Sequence, residues 1–264
     1  MTEAEQREQR APRPRRLLCV GLPLAICGAL VLAGTASATP TATLKALALS
    51  IPGFPGTGNI LGAGAEVEMQ VSITGTEYGG FPSPMTGLNI FAPAGVKITT
   101  RGFATCAPSV LEADGPPGCP KQSSAGPPGV GFGVVTFGDE QVPETVSIQS
   151  FFAPVGGPTF YVKGNTPASF EVLEKSRWIT ASPPYGAELM VEVPLIETAP
   201  GGNDASVTGF KVRVGAAYKQ GKKTVSYITQ PKKCPKHGFP VEIELKFLSG
   251  QMLTVPDTVP CPRR

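Results

Sequence analysis

The sequence predicts an all-β fold, a β-sandwich of immunoglobulin-like or jelly-roll-like kind with long Gly/Pro-rich loops. Three observations carry that expectation. The 264 residues include 32 Gly and 29 Pro, and an interior Pro costs a helix ~3 kcal/mol and a Gly ~1 kcal/mol relative to Ala. Segments of strict apolar/polar alternation recur along the chain, and Gly, Pro or Asn bounds them at the short intervals of a sandwich. Helical bundles, Rossmann folds and barrels of alternating strand and helix are therefore poor candidates. The hydrophobic content of 41% is enough to build a core, which argues against wholesale disorder.

Residues 1–16 are polar and end in Arg13, Arg15 and Arg16, and an uncharged apolar run follows from Leu17 to Gly34. Ala36-Ser37-Ala38 then offers a small-residue cleavage site. Basic, apolar and small-residue regions in that order make a secretory signal. Residues 1–38 are thus expected to be a signal peptide, or a membrane anchor through 17–34 if uncleaved. Residues 39–264 are expected to be secreted or to lie in the extracytoplasmic cell envelope.

The clearest strand runs from Ala65 to Gly75, with Val67, Met69, Val71 and Ile73 on one face and Glu66, Glu68, Gln70 and Ser72 on the other. Ala205 to Tyr218 repeats the pattern, placing Phe210, Val212 and Val214 inward and Lys211 and Arg213 outward. Val241 to Phe247 does so again with Glu242, Glu244 and Lys246 outward. Shorter β-branched or aromatic runs at 42–49, 87–101, 132–137, 144–153, 158–164, 168–174, 187–197, 222–230 and 251–256 complete the set. A single short helix is expected at Pro108 to Ala113, with Pro in its first position. The Gly/Pro/Ser-rich stretch from Gly115 to Gly133 reads either as a boundary between two β lobes or as a long surface loop of one sandwich.

Cys19 and Cys27 belong to the leader, which leaves Cys106, Cys119, Cys234 and Cys261 in the exported part. An even number of cysteines outside the cytoplasm reads as two disulfides. Of three connectivities, Cys106 to Cys119 and Cys234 to Cys261 need only local closure. A zinc site is disfavoured, because His237 is the only histidine and no C-x-x-C is present.

No catalytic signature stands out. There is no G-x-S-x-G elbow and no H-E-x-x-H. The Walker-like run from Gly215 to Gly221 has the wrong spacing and sits between strands, as a hairpin turn does. His237 lies in a Pro/Lys/Gly loop. Glu112 with Asp114, and Asp139 with Glu140, adjoin glycines and read as solvated turns, while Asn203-Asp204 lacks the ligand spacing of an EF-hand. Trp178, Tyr185 and Tyr78 read as packing residues. No cofactor or metal is expected.

Charge is segregated. Residues 39–210 carry seven basic and fourteen acidic side chains, whereas Lys211, Arg213, Lys219, Lys222, Lys223, Lys232, Lys233 and Lys236 are eight basic residues with no acid among them. Strands at 205–218 and 222–230 would make a basic hairpin with Lys219 and Lys222 at its turn. Such a patch suits anionic wall polymers or lipid headgroups; the alternative is lysines that solubilise an edge hairpin. Nucleic acid is a poor fit for an exported site with only Tyr218 and Tyr227 to stack on bases.

Gly102-Phe103, Cys106, Gly118-Cys119-Pro120, Ser123-Ser124, Gly126, Tyr227-Ile228-Thr229, Pro231, Cys234-Pro235 and Cys261-Pro262 together form a pattern. It resembles a group of uncharacterised exported proteins of soil actinobacteria. The resemblance implies export, disulfides and a β-rich fold, and nothing catalytic.

The functional expectation is a non-enzymatic secreted or envelope-associated β-sandwich, structural or surface-binding, contacting anionic envelope polymers through its basic hairpin. Two alternatives stand beside it. A secreted hydrolase of envelope polysaccharide would need two carboxylates facing across a cleft. A small-ligand or lipid carrier would need a sizeable apolar cavity between its sheets.

Overall fold

The computed structural model describes residues 39–138, 140–198 and 202–262. The expected leader, with Cys19 and Cys27, and Asp139 lie outside the described residues. Alternation at 66–74 becomes β2 (Glu66–Thr74), whose Met69, Val71 and Ile73 are buried. It pairs with β1 (Thr41–Leu49) on one side and β11 (Ser206–Val214) on the other, both antiparallel. The sheet continues through β5 (Gly129–Phe137), β6 (Glu140–Phe152), β7 (Pro158–Gly164) and β8 (Phe170–Glu174), in the order β1-β2-β11-β5-β6-β7-β8.

A five-stranded sheet packs over it, ordered β16-β15-β3-β10-β9. Its members are β3 (Met85–Pro93), β9 (Ser176–Ile179), β10 (Tyr185–Glu192), β15 (Phe239–Phe247) and β16 (Met252–Val259). In β15, Phe239, Val241, Ile243, Leu245 and Phe247 are all buried while the residues between them are half-buried, the period-two signature of a strand covered on one face. The fold is thus an all-β sandwich, as expected. Ser37–Arg264 is one compact unit with its own core, the character of a domain that folds alone.

Both long sides of the sandwich are stitched. Asp257 Oδ2 on β16 accepts the Ala46 N–H of β1 at 2.7 Å. On the other side, Gly157 N–H donates to the Ser176 carbonyl at 2.8 Å and the Ser176 hydroxyl donates to the Pro158 carbonyl. Two ends remain. One is closed by Ile73, Met85 and Phe247, each no more than 5% exposed. The other lies where β2 begins and β11 ends.

Two expected strands break at that second end. The 87–101 run divides at a turn through Gly95 into β3 and a two-residue β4 (Lys97–Ile98), which pairs with β14 (Ile228–Thr229). The 205–218 run divides at Gly215, which has φ +152° and whose missing Cβ would lie 2.5 Å from Glu66 Cα. Only a glycine passes there, and the chain leaves the sheet to form a separate ribbon of β12 (Ala217–Gln220) and β13 (Lys223–Ser226). The basic hairpin is therefore this shorter ribbon, not an extension of β11.

Both locally paired disulfides form, Cys106–Cys119 and Cys234–Cys261. The first staples α1 (Pro108–Asp114) and the turn after it, so that Leu111 packs with Phe151 and Tyr161 on the outer face of the larger sheet. The Gly115–Gly133 stretch runs through two 3-10 turns into β5, a central strand of that sheet. The second disulfide ties the loop before β15 to the tail after β16. Two disulfides suit an oxidising compartment. Among the described residues no helix is long and apolar enough to cross a membrane.

Candidate functional site

Inward-facing residues change character along each central strand. On β2, Met69, Val71 and Ile73 are buried, whereas Val67 on the same face is only half-buried. Val212 and Val214 on β11, Ile90 on β3 and Trp178 on β9 behave like Val67. Half-exposed aliphatic groups that point between two sheets mark a gap in the packing, and here they surround a cavity of about 110 Å³. Apolar cavities of roughly 150 Å³ are dry and admit benzene or xenon.

The walls come from both sheets: Leu47, Val67 and Val214 from the larger, Ile90, Leu189 and Val241 from the smaller. Ile98, Ile228, Gln230 and Pro231 line its end. Gln230 brings the one side-chain amide to the lining, and that amide donates to the Gly58 carbonyl. Trp178 brings an indole N–H, which donates to the Tyr227 hydroxyl at 2.7 Å. Burial pushes the Tyr227 phenol up to about 12, so it stays protonated and its oxygen is a neutral acceptor. Tyr227 is itself held by Phe152 at 4.6 Å and by Phe103, edge-on at 5.9 Å. The two side-chain N–H donors of the wall are thus already spent, and the rest of the lining is predominantly hydrocarbon.

The eight basic residues expected to form one patch separate into two groups. Lys211 and Arg213 leave the patch, because they are ion-paired on the outer face of the larger sheet. Arg213 Nε lies 2.7 Å and Lys211 Nζ 3.2 Å from Glu68, and Arg213 Nη1 lies 3.6 Å from Glu66. Alternation put Glu66 and Glu68 on that face, as observed, but both are buried. Arg213 stands across from Glu68 in register and reaches on to Glu66, and Lys211, one pair further along, also reaches Glu68. Burial, with Glu68 beside it, raises Glu66 despite Arg213. Burial also pushes Glu68 up, but the hydrogen bonds and charge of Arg213 and Lys211 outweigh it and hold Glu68 low.

The other six, Lys219, Lys222, Lys223, Lys232, Lys233 and Lys236, are exposed at the cavity end and make no ion pair among the described residues. The β12–β13 ribbon carrying three of them is anchored by Tyr218, edge-on to Phe103 at 5.0 Å. Lys97 and Arg101, also exposed, join them: Lys97 stands opposite Thr229, and the Arg101 carbonyl accepts the Tyr218 hydroxyl at 3.4 Å. Sequence reasoning missed these two because they are isolated in the chain and meet the lysines only through β4–β14 pairing. It also passed over the loop Gly58–Gly64, where Ile60 and Leu61 are 48% and 42% exposed.

The remaining candidates have structural surroundings. Glu112 reaches Lys175 at 3.6 Å, and Asp204 N–H donates to the Tyr78 hydroxyl. His237 is exposed in the turn before β15. Tyr185 packs on Phe91 at 5.3 Å. Among the described residues no three His, Cys, Asp or Glu side chains converge as metal ligands would. The chain, compared with protein-family models, curated proteins and solved structures, matches none of them.

Proposed function

We propose that the exported domain is a non-enzymatic binding protein that holds a slim apolar group between its sheets, a small ring or a few carbons of an alkyl chain. One observation carries this reading: a cavity of about 110 Å³ whose wall is almost all carbon and whose two side-chain N–H donors are already hydrogen-bonded. Pockets that orient polar substrates offer convergent, unspent donors and acceptors, and this wall has no side-chain donor to spare. Export and an envelope location fit the two disulfides and the resemblance to exported actinobacterial proteins. The hydrolase alternative has less support. Glu66 and Glu68 do show the raised-and-lowered pattern of an acid and a base. Yet Glu66 is 2% exposed beneath Arg213, which leaves a polysaccharide no approach to it.

Trp178 is the only tryptophan in the chain and it lines the cavity, so its emission reports occupancy directly. Bromobenzene and 1-bromohexane, titrated into residues 37–264, are expected to quench it saturably, and Val214→Phe, which fills the wall, to abolish saturation while leaving the circular dichroism intact. Quenching that stays linear with concentration and is equal in both proteins would refute the reading.

A further inference from the structure

The cavity end presents an apolar tip with lysines beside it, and the geometry points to a docking surface for an anionic lipid bilayer. The tip is Ile60 and Leu61. It is built rather than frayed: Gly62 takes φ +71° and its N–H donates to the Pro231 carbonyl at 3.1 Å, while Gln230 N–H donates to the Ala63 carbonyl at 2.9 Å. Two aliphatic side chains are therefore held out in water by a loop whose backbone is tied down. Lys232 packs against Gly62, next to Leu61. Lys219 reaches over Phe54, just upstream of that loop, its Nζ 5.8 Å from the ring centroid, and Lys222 and Lys223 extend beyond it at the ribbon turn.

The acids nearest this end are engaged elsewhere: Glu66 and Glu68 with Arg213 and Lys211, Asp257 with the Ala46 N–H, and Glu242 with the Tyr185 hydroxyl, and none of them pairs with these lysines. A surface that needed only solubility would mix signs and would not hold Ile60 and Leu61 exposed beside its lysines. Lysines around a shallow apolar insertion match the two layers of a bilayer surface, anionic phosphates outside and acyl carbon beneath. A soluble anionic polymer has the first layer only, and so leaves the exposed aliphatic pair without a partner.

This surface deepens the proposed function and rests on it for its purpose. Pro231 and Gln230, which anchor the tip, also line the cavity. A bilayer docked at the tip therefore lies beside the end of the cavity, and the apolar group taken up is a lipid tail or a solute dissolved among lipid tails.

The test is co-sedimentation of residues 37–264 with phosphatidylcholine vesicles, with and without phosphatidylglycerol. Binding is expected only with the anionic lipid, weakening with added salt. Lys222→Gln with Lys223→Gln should weaken it roughly five-fold per lysine. Ile60→Ser with Leu61→Ser keeps every charge and should weaken vesicle binding at least ten-fold while leaving retention on immobilised polyphosphate unchanged. The proposal is overturned if the serine variant sediments with vesicles like the parent, or if the parent binds polyphosphate but not vesicles. Bromobenzene quenching of Trp178 is measured without lipid and Val214→Phe is assayed on the same vesicles, so loss of the cavity and loss of the docking surface are read separately.

Discussion

Ala48→Leu tests the cavity through stability. Ala48 sits on β1 opposite Val67 and lines the gap. Leucine adds three carbons, and at ~0.8 kcal/mol per buried methylene their transfer favours folding by roughly 2.4 kcal/mol. Ordering the longer side chain removes ~0.5–1 kcal/mol of that. The expected net gain is about 1.5 kcal/mol. In a close-packed core the same change would cost ~1–3 kcal/mol through strain, so the sign of the effect decides. Urea unfolding of residues 37–264 without reductant reads it: with a slope of roughly 2–3 kcal/mol per molar, the midpoint should rise by about half a molar. Bromobenzene affinity should fall in parallel, because the leucine occupies the space. A lowered midpoint with unchanged quenching would show that the gap does not exist in solution.

Tyr227→Phe removes the acceptor of the half-buried Trp178 N–H; a loss of roughly 0.5–1.5 kcal/mol in urea unfolding is expected, with a shift in tryptophan emission. Glu174, across from Phe160 on the edge strand, is raised by burial to about 7. It binds its proton more tightly folded than unfolded, so its contribution to stability is present below about 4.5 and is lost as pH rises through 7. Glu174→Gln should therefore stabilise by about 1–2 kcal/mol at pH 8, discounted for a half-buried group, and leave stability at pH 4 unchanged; thermal melts at both pH values check this. Cys234→Ser with Cys261→Ser opens a loop with a sequence separation of 27 and should cost roughly 3.5 kcal/mol in the chain-entropy model, measured by the same unfolding curves.

Strand periodicity was readable because each strand buries one face and wets the other, which writes itself into the sequence with period two. β15 is the plain case. β9 was missed because its four residues, Ser-Arg-Trp-Ile, are too few to show a period and follow a charged corner. Disulfide pairing was readable because both loops close locally. The cavity was not, since Val67 and Val71 look alike in sequence and differ only in what faces them. The basic patch was half legible: a run of lysines is visible, but whether a cation is spent depends on its cross-strand neighbour. Glu68 lies opposite Arg213 in register, and nothing local to Arg213 announces it.

Why the gap persists bears on what it is for. Were a cavity of this size fully enclosed, about 24 cal/mol per Å³ would set an upper bound of roughly 2–3 kcal/mol on the packing its walls forgo, a large share of a domain's net stability. A sandwich free to relax would close it by sliding one sheet toward the other. Here the sheets are fastened along both sides, by Asp257 to Ala46 and by Ser176 to Pro158. At the open end Trp178 stands against Tyr227, braced by Phe103 and Phe152, so an aromatic post holds the sheets apart. The closed end, with the same strands and the same kinds of side chain, shows that the sequence can pack tightly. The gap is therefore local, propped and apolar, and an apolar group seated in it would make the contacts that the surrounding side chains do not make with one another.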